Sequence, residues 1–257
     1  MAENQYEFPT EVLSLPSKGL LYPEDSPLRS GTIDVKYMTA KEEDILTSQN
    51  LITQGVVIDR LLQSVIANPK VKLDDLLIGD KNALMVGTRV LGYGKDYEAI
   101  IIDPDTNEQV ETVIDLTTLG HKEVDESSFK GENKFEFELP NSKRKIGFTI
   151  LTHKDEKEID EILKSLEKVE KITGISTEVT TRLKYQIQSI DRNTEQSFID
   201  NFVDNEFLAL DAREYRKYVQ SITPDMDLRF DYTTGDGNVV KVGVPLGIDF
   251  FWPAAGE

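Results

Sequence analysis

The interval between apolar residues changes three times along this chain, and that change limits the fold more tightly than any single motif. From Thr39 to Gly92 the interval is helical. Thr39 and Glu42 have the spacing of a capping box, which opens a helix running to about Ser48. Val57, Ile58, Leu61, Leu62, Val65 and Ile66 then form one apolar face, and Asn68-Pro69 ends that second helix. A third starts near Asp80, runs through Ala83, Leu84, Val86 and Val90, and stops at Gly92-Tyr93-Gly94.

From Tyr97 the interval becomes two, the period of a strand. Ala99–Ile102 and Val110–Leu116 flank the polar run Asp103-Pro104-Asp105-Thr106-Asn107, which predicts a hairpin. Phe135, Phe137 and Leu139 face Ile146, Phe148 and Ile150 across Pro140-Asn141-Ser142, a second hairpin. The helical interval returns at 154–172 with Ile159, Ile162, Leu163, Leu166, Val169 and Ile172, and further helices are expected at about 177–190, 194–204 and 211–222. Leu228, Phe230 and Tyr232 pair with Val239–Val244 in a closing hairpin. Helices and antiparallel hairpins in separate runs predict an α+β fold. Four regions are expected: an arm (1–31), a strand plus helical unit (32–94), a β-hairpin region (95–152), and a helical segment with closing hairpin and aromatic tail (153–257).

The two ends are apolar without being periodic. Pro9, Pro16, Pro23 and Pro27 make regular structure an unfavourable expectation for the arm, yet Leu15, Leu20, Leu21 and Tyr22 are interleaved with them. An extended arm lying on a surface, its own or a partner's, accounts for both. Phe250, Phe251 and Trp252 close the chain. Each buries on the order of 150–250 Å² when covered, so the tail either folds into the core or anchors a partner. Leu15, Leu20, Leu21, Tyr22, Phe250, Phe251 and Trp252 are therefore the candidate partner-binding residues.

Charge and composition exclude several classes of function. The 257 residues carry a net charge of −18 and no cysteine. Such a chain repels phosphate backbones and anionic membranes, so neither nucleic acid nor membrane is expected as a partner. Thiolate nucleophiles, disulfides and thiolate zinc sites are impossible. No apolar run approaches the roughly 20 residues of a spanning helix and no apolar leader opens the chain, so the expectation is a soluble protein acting where it is made.

Motifs of chemistry are weak. Gly87–Lys95 ends a helix instead of opening one, unlike a phosphate loop. Asp103–Asn107 begins like a calcium loop but has Glu108 where glycine is needed. Glu42-Glu43-Asp44 and Asp74-Asp75 sit at expected helix starts, where acids are favoured. His121 and His153 have no local serine–acid partners. The expectation is no enzyme, no catalytic or metal site and no cofactor. Lys143-Arg144-Lys145 is the one dense basic cluster, read as a solvated turn or a dock for an acidic partner.

Several stretches resemble a known family. Leu15-Pro16-Ser17-Lys18-Gly19-Leu20-Leu21-Tyr22-Pro23 is similar to its opening. Met38–Leu46, Asp74–Ala83, Gly92-Tyr93-Gly94-Lys95-Asp96-Tyr97, the run Arg213–Asp227 and Phe250-Phe251-Trp252-Pro253 are similar too. The chain resembles the base-plate hub and tail-assembly proteins of T4-like, contractile-tailed bacteriophages. The resemblance implies virion assembly by protein–protein binding, as an assembly factor for hub or tape-measure subunits; the alternative is a permanent subunit of the mature base plate. It implies a place in the host-cell cytoplasm during assembly, and in the tail base plate under the alternative. Many members of the family carry a Cys-Pro-x-Cys-Gly zinc knuckle where this chain reads Asp103-Pro104-Asp105-Thr106-Asn107, so that zinc is not carried over. The first hairpin is then expected to be held by strand pairing and by Ile100, Ile102, Val113 and Ile114.

Overall fold

Helix α4 (Ile78–Tyr93) is the element on which both early and late segments of the described residues pack. The computed structural model describes residues 9–251, apart from the side chains at 168–170, 248 and 249. The molecule is α+β. Strand β1 (Thr10–Ser14) pairs antiparallel with β2 (Thr32–Lys36). Helices α1 (Ala40–Leu46), α2 (Gln49–Gln54) and α3 (Val57–Val65) follow, and then α4. Thr39 and Glu42 form the expected capping box: the Glu42 carboxylate accepts from the Thr39 N–H at 2.9 Å. Strands β3 (Asp96–Ile102) and β4 (Gln109–Asp115) form the first hairpin.

The second hairpin, β5 (Phe135–Glu138) and β6 (Lys145–Phe148), gains a third antiparallel strand, β7 (Ile187–Ile190), on the β6 side. Between them lie α5 (His153–Thr173) and α6 (Glu178–Gln186). The sequence predicts helix through 190; the structure ends it at Gln186 and turns Ile187–Ile190 into a strand, because Ile187 and Ile190 complete the apolar face of the sheet. Helix α7 (Gln196–Asn201), a single π turn and α8 (Ala209–Ile222) cover that face. Tyr218 stacks on Phe137 at 4.7 Å, and Tyr215 meets Phe148 edge-on at 5.2 Å. Strands β8 (Arg229–Thr233) and β9 (Val239–Gly243) form the closing hairpin.

The arm is not a free extended segment. Beyond β1 it folds into tight turns, and Leu15, Leu21 and Tyr22 are buried. The prolines forbid a long element, but they leave room for a short strand and turns. Gly19 and Gly31 both have positive φ (+74° and +75°), and each packs directly on the backbone of the other's loop; a Cβ on Gly31 would lie 2.7 Å from the Lys18 carbonyl oxygen. Only glycine allows both the turn and the crossing.

The anchor of the arm is Asp80, fully buried in the first turn of α4. Its Oδ1 accepts from the Ser17 N–H at 2.9 Å; its Oδ2 accepts from the Ser17 and Tyr22 hydroxyls, both at 2.6 Å. The Tyr22 hydroxyl accepts in turn from the Leu77 N–H at 2.9 Å. Burial raises the pKa of Asp80, and these donors only partly offset it. A second buried acid, Asp211, holds the β5–β6 turn: it accepts from the Asn141 N–H and side-chain amide at 2.8 Å and from the Ser142 N–H at 2.9 Å. Burial works against its charge, but the donors outweigh it and bring its pKa down to about 2.

Tyr22→Phe removes one donor to Asp80 and leaves the buried Leu77 N–H without its acceptor, so urea denaturation should show a loss of about 1–3 kcal/mol. Tyr37→Phe, which removes an exposed pair with Glu11, should change stability by less than about 0.5 kcal/mol. For Asp211, the folded pKa lies below the unfolded value of 3.8. Its contribution is complete above that value and is lost as pH falls toward about 2. The stability gap between the wild type and Asp211→Asn should therefore be widest near neutral pH and close progressively below pH 3.8. A gap independent of pH would show that the charge is not what holds the turn.

Candidate functional site

A chain that works by association needs apolar surface left open in the folded monomer, and exposure decides which of the candidate residues qualify. Leu15, Leu21 and Tyr22 are 1%, 2% and 5% exposed; Phe250 and Phe251 are 0% and 1%. Leu20 is half-buried, and Trp252 lies outside the described residues. The assignment of the five buried residues to a partner surface is corrected: they form this chain's own core. Ser17 and Tyr22 bond to Asp80, which draws the arm inward. The tail comes inward through Tyr97, whose ring meets Phe250 edge-on at 5.0 Å and whose hydroxyl donates to the Pro245 carbonyl at 3.0 Å.

The opening motif and Asp74–Ala83 supply two halves of one network, Ser17 and Tyr22 from the first and Asp80 from the second. Gly92–Tyr97 supplies another: buried Arg89 donates to the carbonyls of Gly94 at 3.1 Å and Asp96 at 3.3 Å, with its guanidinium over the rings of Tyr93 and Tyr97. The first network joins stretches far apart in sequence at the start of α4; the second is local and closes its other end.

The titratable clusters are also occupied. His153, at the start of α5, is buried with Nε2 3.0 Å from Asp59 Oδ2 and Nδ1 3.1 Å from Lys81 Nζ. Burial disfavours the Asp59 charge, but His153 and Lys81 outweigh it and keep the carboxyl below its usual range. The cluster ties α3, α4 and α5 together. Asp74 pairs with Lys157 at 2.9 Å, and Glu42 caps α1. His121 is exposed, in a short backbone bridge to Met226. Among the described residues, no three histidine or acidic side chains are grouped to hold a metal.

At the hairpin turn, Asp103 does by hydrogen bonding what a thiolate–metal pair would do by ligation. Its carboxylate accepts from the Asp105 and Thr106 N–H groups at 2.8 and 3.1 Å and from the Tyr232 hydroxyl at 2.9 Å. The last bond fastens the first hairpin to the closing one. Its oxygens are turned onto the protein's own backbone and the Tyr232 hydroxyl, unlike those of a cation loop.

An open apolar stripe lies on that hairpin; other exposed aliphatic side chains, among them Ile172, Ile175, Leu208, Leu210 and Val239, lie elsewhere on the described surface. The register pairs Glu98 with Val113, Ile100 with Glu111 and Ile102 with Gln109. Paired residues share a face, so Val113, Ile100 and Ile102 form a diagonal stripe bordered by Glu98 and Glu111. They are 62%, 59% and 59% exposed, whereas Tyr97, Ala99, Ile101 and Ile114 of the opposite face are buried. The expectation that Ile100, Ile102 and Val113 hold the hairpin is thereby corrected; of that set Ile114 alone points inward. Four consecutive apolar residues, Ala99–Ile102, carry no alternation from which to choose a face. Tyr97 makes the choice by docking on the Phe250 ring.

The model of a family described as T4 bacteriophage base plate protein matches residues 13–225. No curated protein and no solved structure matches the chain significantly.

The tail's place in the core sets a clear expectation. Phe250→Ala should lower stability by about 3–5 kcal/mol in chemical denaturation, the usual range for a buried phenylalanine. A melting curve unchanged by that substitution would return the tail to the surface.

Proposed function

This chain belongs to the T4 bacteriophage base plate protein family, and from that premise we propose that it acts by protein–protein binding in tail morphogenesis, as an assembly factor for hub or tape-measure subunits in the host cytoplasm. The observation that carries the reading is the stripe Val113–Ile100–Ile102, three aliphatic side chains about three-fifths exposed on one sheet face. Such a patch is costly in water and gains by being covered. Its border of Glu98 and Glu111, and the acidic turn beside it, favour a partner face that is apolar at its centre and basic at its rim.

The proposed action makes or breaks no bond. Asp59, Asp80, Asp103, Asp211 and His153 are each engaged in holding elements together. That leaves association as the chemistry this fold supports best.

The test uses Ile100→Thr/Ile102→Thr/Val113→Thr in the full chain. Threonine keeps β-branching, so the hairpin should retain its strands and its melting temperature. Association with base-plate subunits in infected-cell extracts, read by co-purification and mass spectrometry, should fall about tenfold or more. Wild-type-like association of the variant would remove the stripe from the reading. If the wild type itself associates with no base-plate subunit, the function is wrong. Stoichiometric copies in purified particles would favour the permanent subunit over the assembly factor.

A further inference from the structure

The basic triplet Lys143-Arg144-Lys145 is not absorbed by the β3–β4 surface, and its three members have different fates. Lys143 takes a positive φ in the β5–β6 turn. Arg144 turns inward, paired with Asp191 at 2.5 Å and lying over the rings of Phe198 and Phe202. Lys145 remains exposed and lines a trough over the β5–β6–β7 sheet.

That trough consists of two adjoining hollows of about 740 and 340 Å³, which share Glu136, Gly147 and Ser189. The register places these three in one row across the three strands. A side chain at Gly147 would collide with the Ser189 hydroxyl, so the floor stays low where the hollows meet. Lys130 and Lys134 line the larger hollow; Lys145 and Arg192 line the smaller. Four cations thus line the trough with two acids, Glu136 and Asp191, in a chain of net charge −18; one of the four, Lys134, is paired with Glu132 at 2.8 Å. Lys130, Lys145 and Arg192 have no ion-pair partner among the described residues, and the charge of Asp191 is already met by Arg144.

The turn that presents Arg192 is held under strain. Ile190 and Asn193 exchange backbone hydrogen bonds at 2.9 Å, and the two residues between them, Asp191 and Arg192, have φ of +50° and +70°. A turn with both central residues left-handed favours asparagine and glycine there. Glycine at 192 would relax the backbone and remove the cation.

We propose that this trough is a second docking site, separate from the β3–β4 stripe, for an acidic extended segment of a partner polypeptide. Cations at both ends and a low floor between them suit carboxylates spaced along a strand. A nucleic-acid backbone is disfavoured, because Glu136 and Asp191 interrupt the cations and the surrounding field repels a continuous polyanion.

The test measures a fluorescein-labelled peptide of alternating glutamate and serine against the full chain at low salt, with a lysine–serine peptide and oligothymidylate as comparison probes. The glutamate peptide should bind, weaken as salt rises, and lose about tenfold or more in affinity for Lys130→Glu/Lys145→Glu/Arg192→Glu. Lys41→Glu/Lys164→Glu, exposed sites away from the trough, should bind as the wild type does. Circular dichroism and melting establish that both variants are folded. Equal affinity of the triple variant, no binding by the wild type, tighter binding of oligothymidylate, or self-association that the triple variant abolishes would each overturn the proposal. None of these outcomes bears on the β3–β4 stripe, whose own variant leaves the trough intact.

Discussion

A buried acid with no salt-bridge partner among the described residues sits at the start of the central helix, and the N-terminal part of the fold is arranged to satisfy it. Asp80 is fully enclosed, and its oxygens are met by one backbone N–H and two hydroxyls, all from the arm. An enclosed acid without donors is costly. The arm must therefore stay seated for the helix to tolerate its own residue, and the helix must present Asp80 for the arm to have a place. Leu15 and Leu21 add apolar burial to this mutual requirement, and the guanidinium of Arg29 gathers the carbonyls of Leu20 and Tyr22 over the same turn.

The same device recurs. Asp211 fastens the β5–β6 turn onto α8, and Asp103 fastens the first hairpin turn and reaches across to Tyr232 of the closing hairpin. Short acidic side chains serve here as acceptors for loop backbone, the work that disulfides or metals perform in other small folds. This gives the acidic composition a structural part in a chain with no sulfur for cross-links. The acids that remain on the surface set the long-range field, and the cations of the sheet trough are a local reversal of it.

Much of this architecture was legible in the sequence where local rules and tertiary packing agree. The capping box at Thr39, the three hairpins and α5 follow from spacing alone. What escaped the sequence depended on distant partners. Strand β1 was hidden among prolines because its pairing with β2 is set by the turns at Gly19 and Gly31. Strand β7 reads as the continuation of a helix, since only β6 beside it selects the extended form. The faces of Ala99–Ile102 were undetermined until Tyr97 met Phe250. Burial of the arm needed Asp80, and nothing near residue 80 says that its acceptors will be filled from residues 17 and 22. The exposed aliphatic stripe and the cationic trough were illegible for the same reason: exposure is a property of the whole packing.

Because residues 15–22 and 250–251, far apart in sequence, both settle on α4, this part of the core closes only when both segments are present. A ribosome-bound fragment lacking Phe250 and Phe251 leaves Tyr97 and the adjoining side of α4 uncovered, whatever else has already folded. Phe250 and Phe251 thus act as a late-arriving clasp: the surface beside Tyr97 is covered only once these two rings are in place.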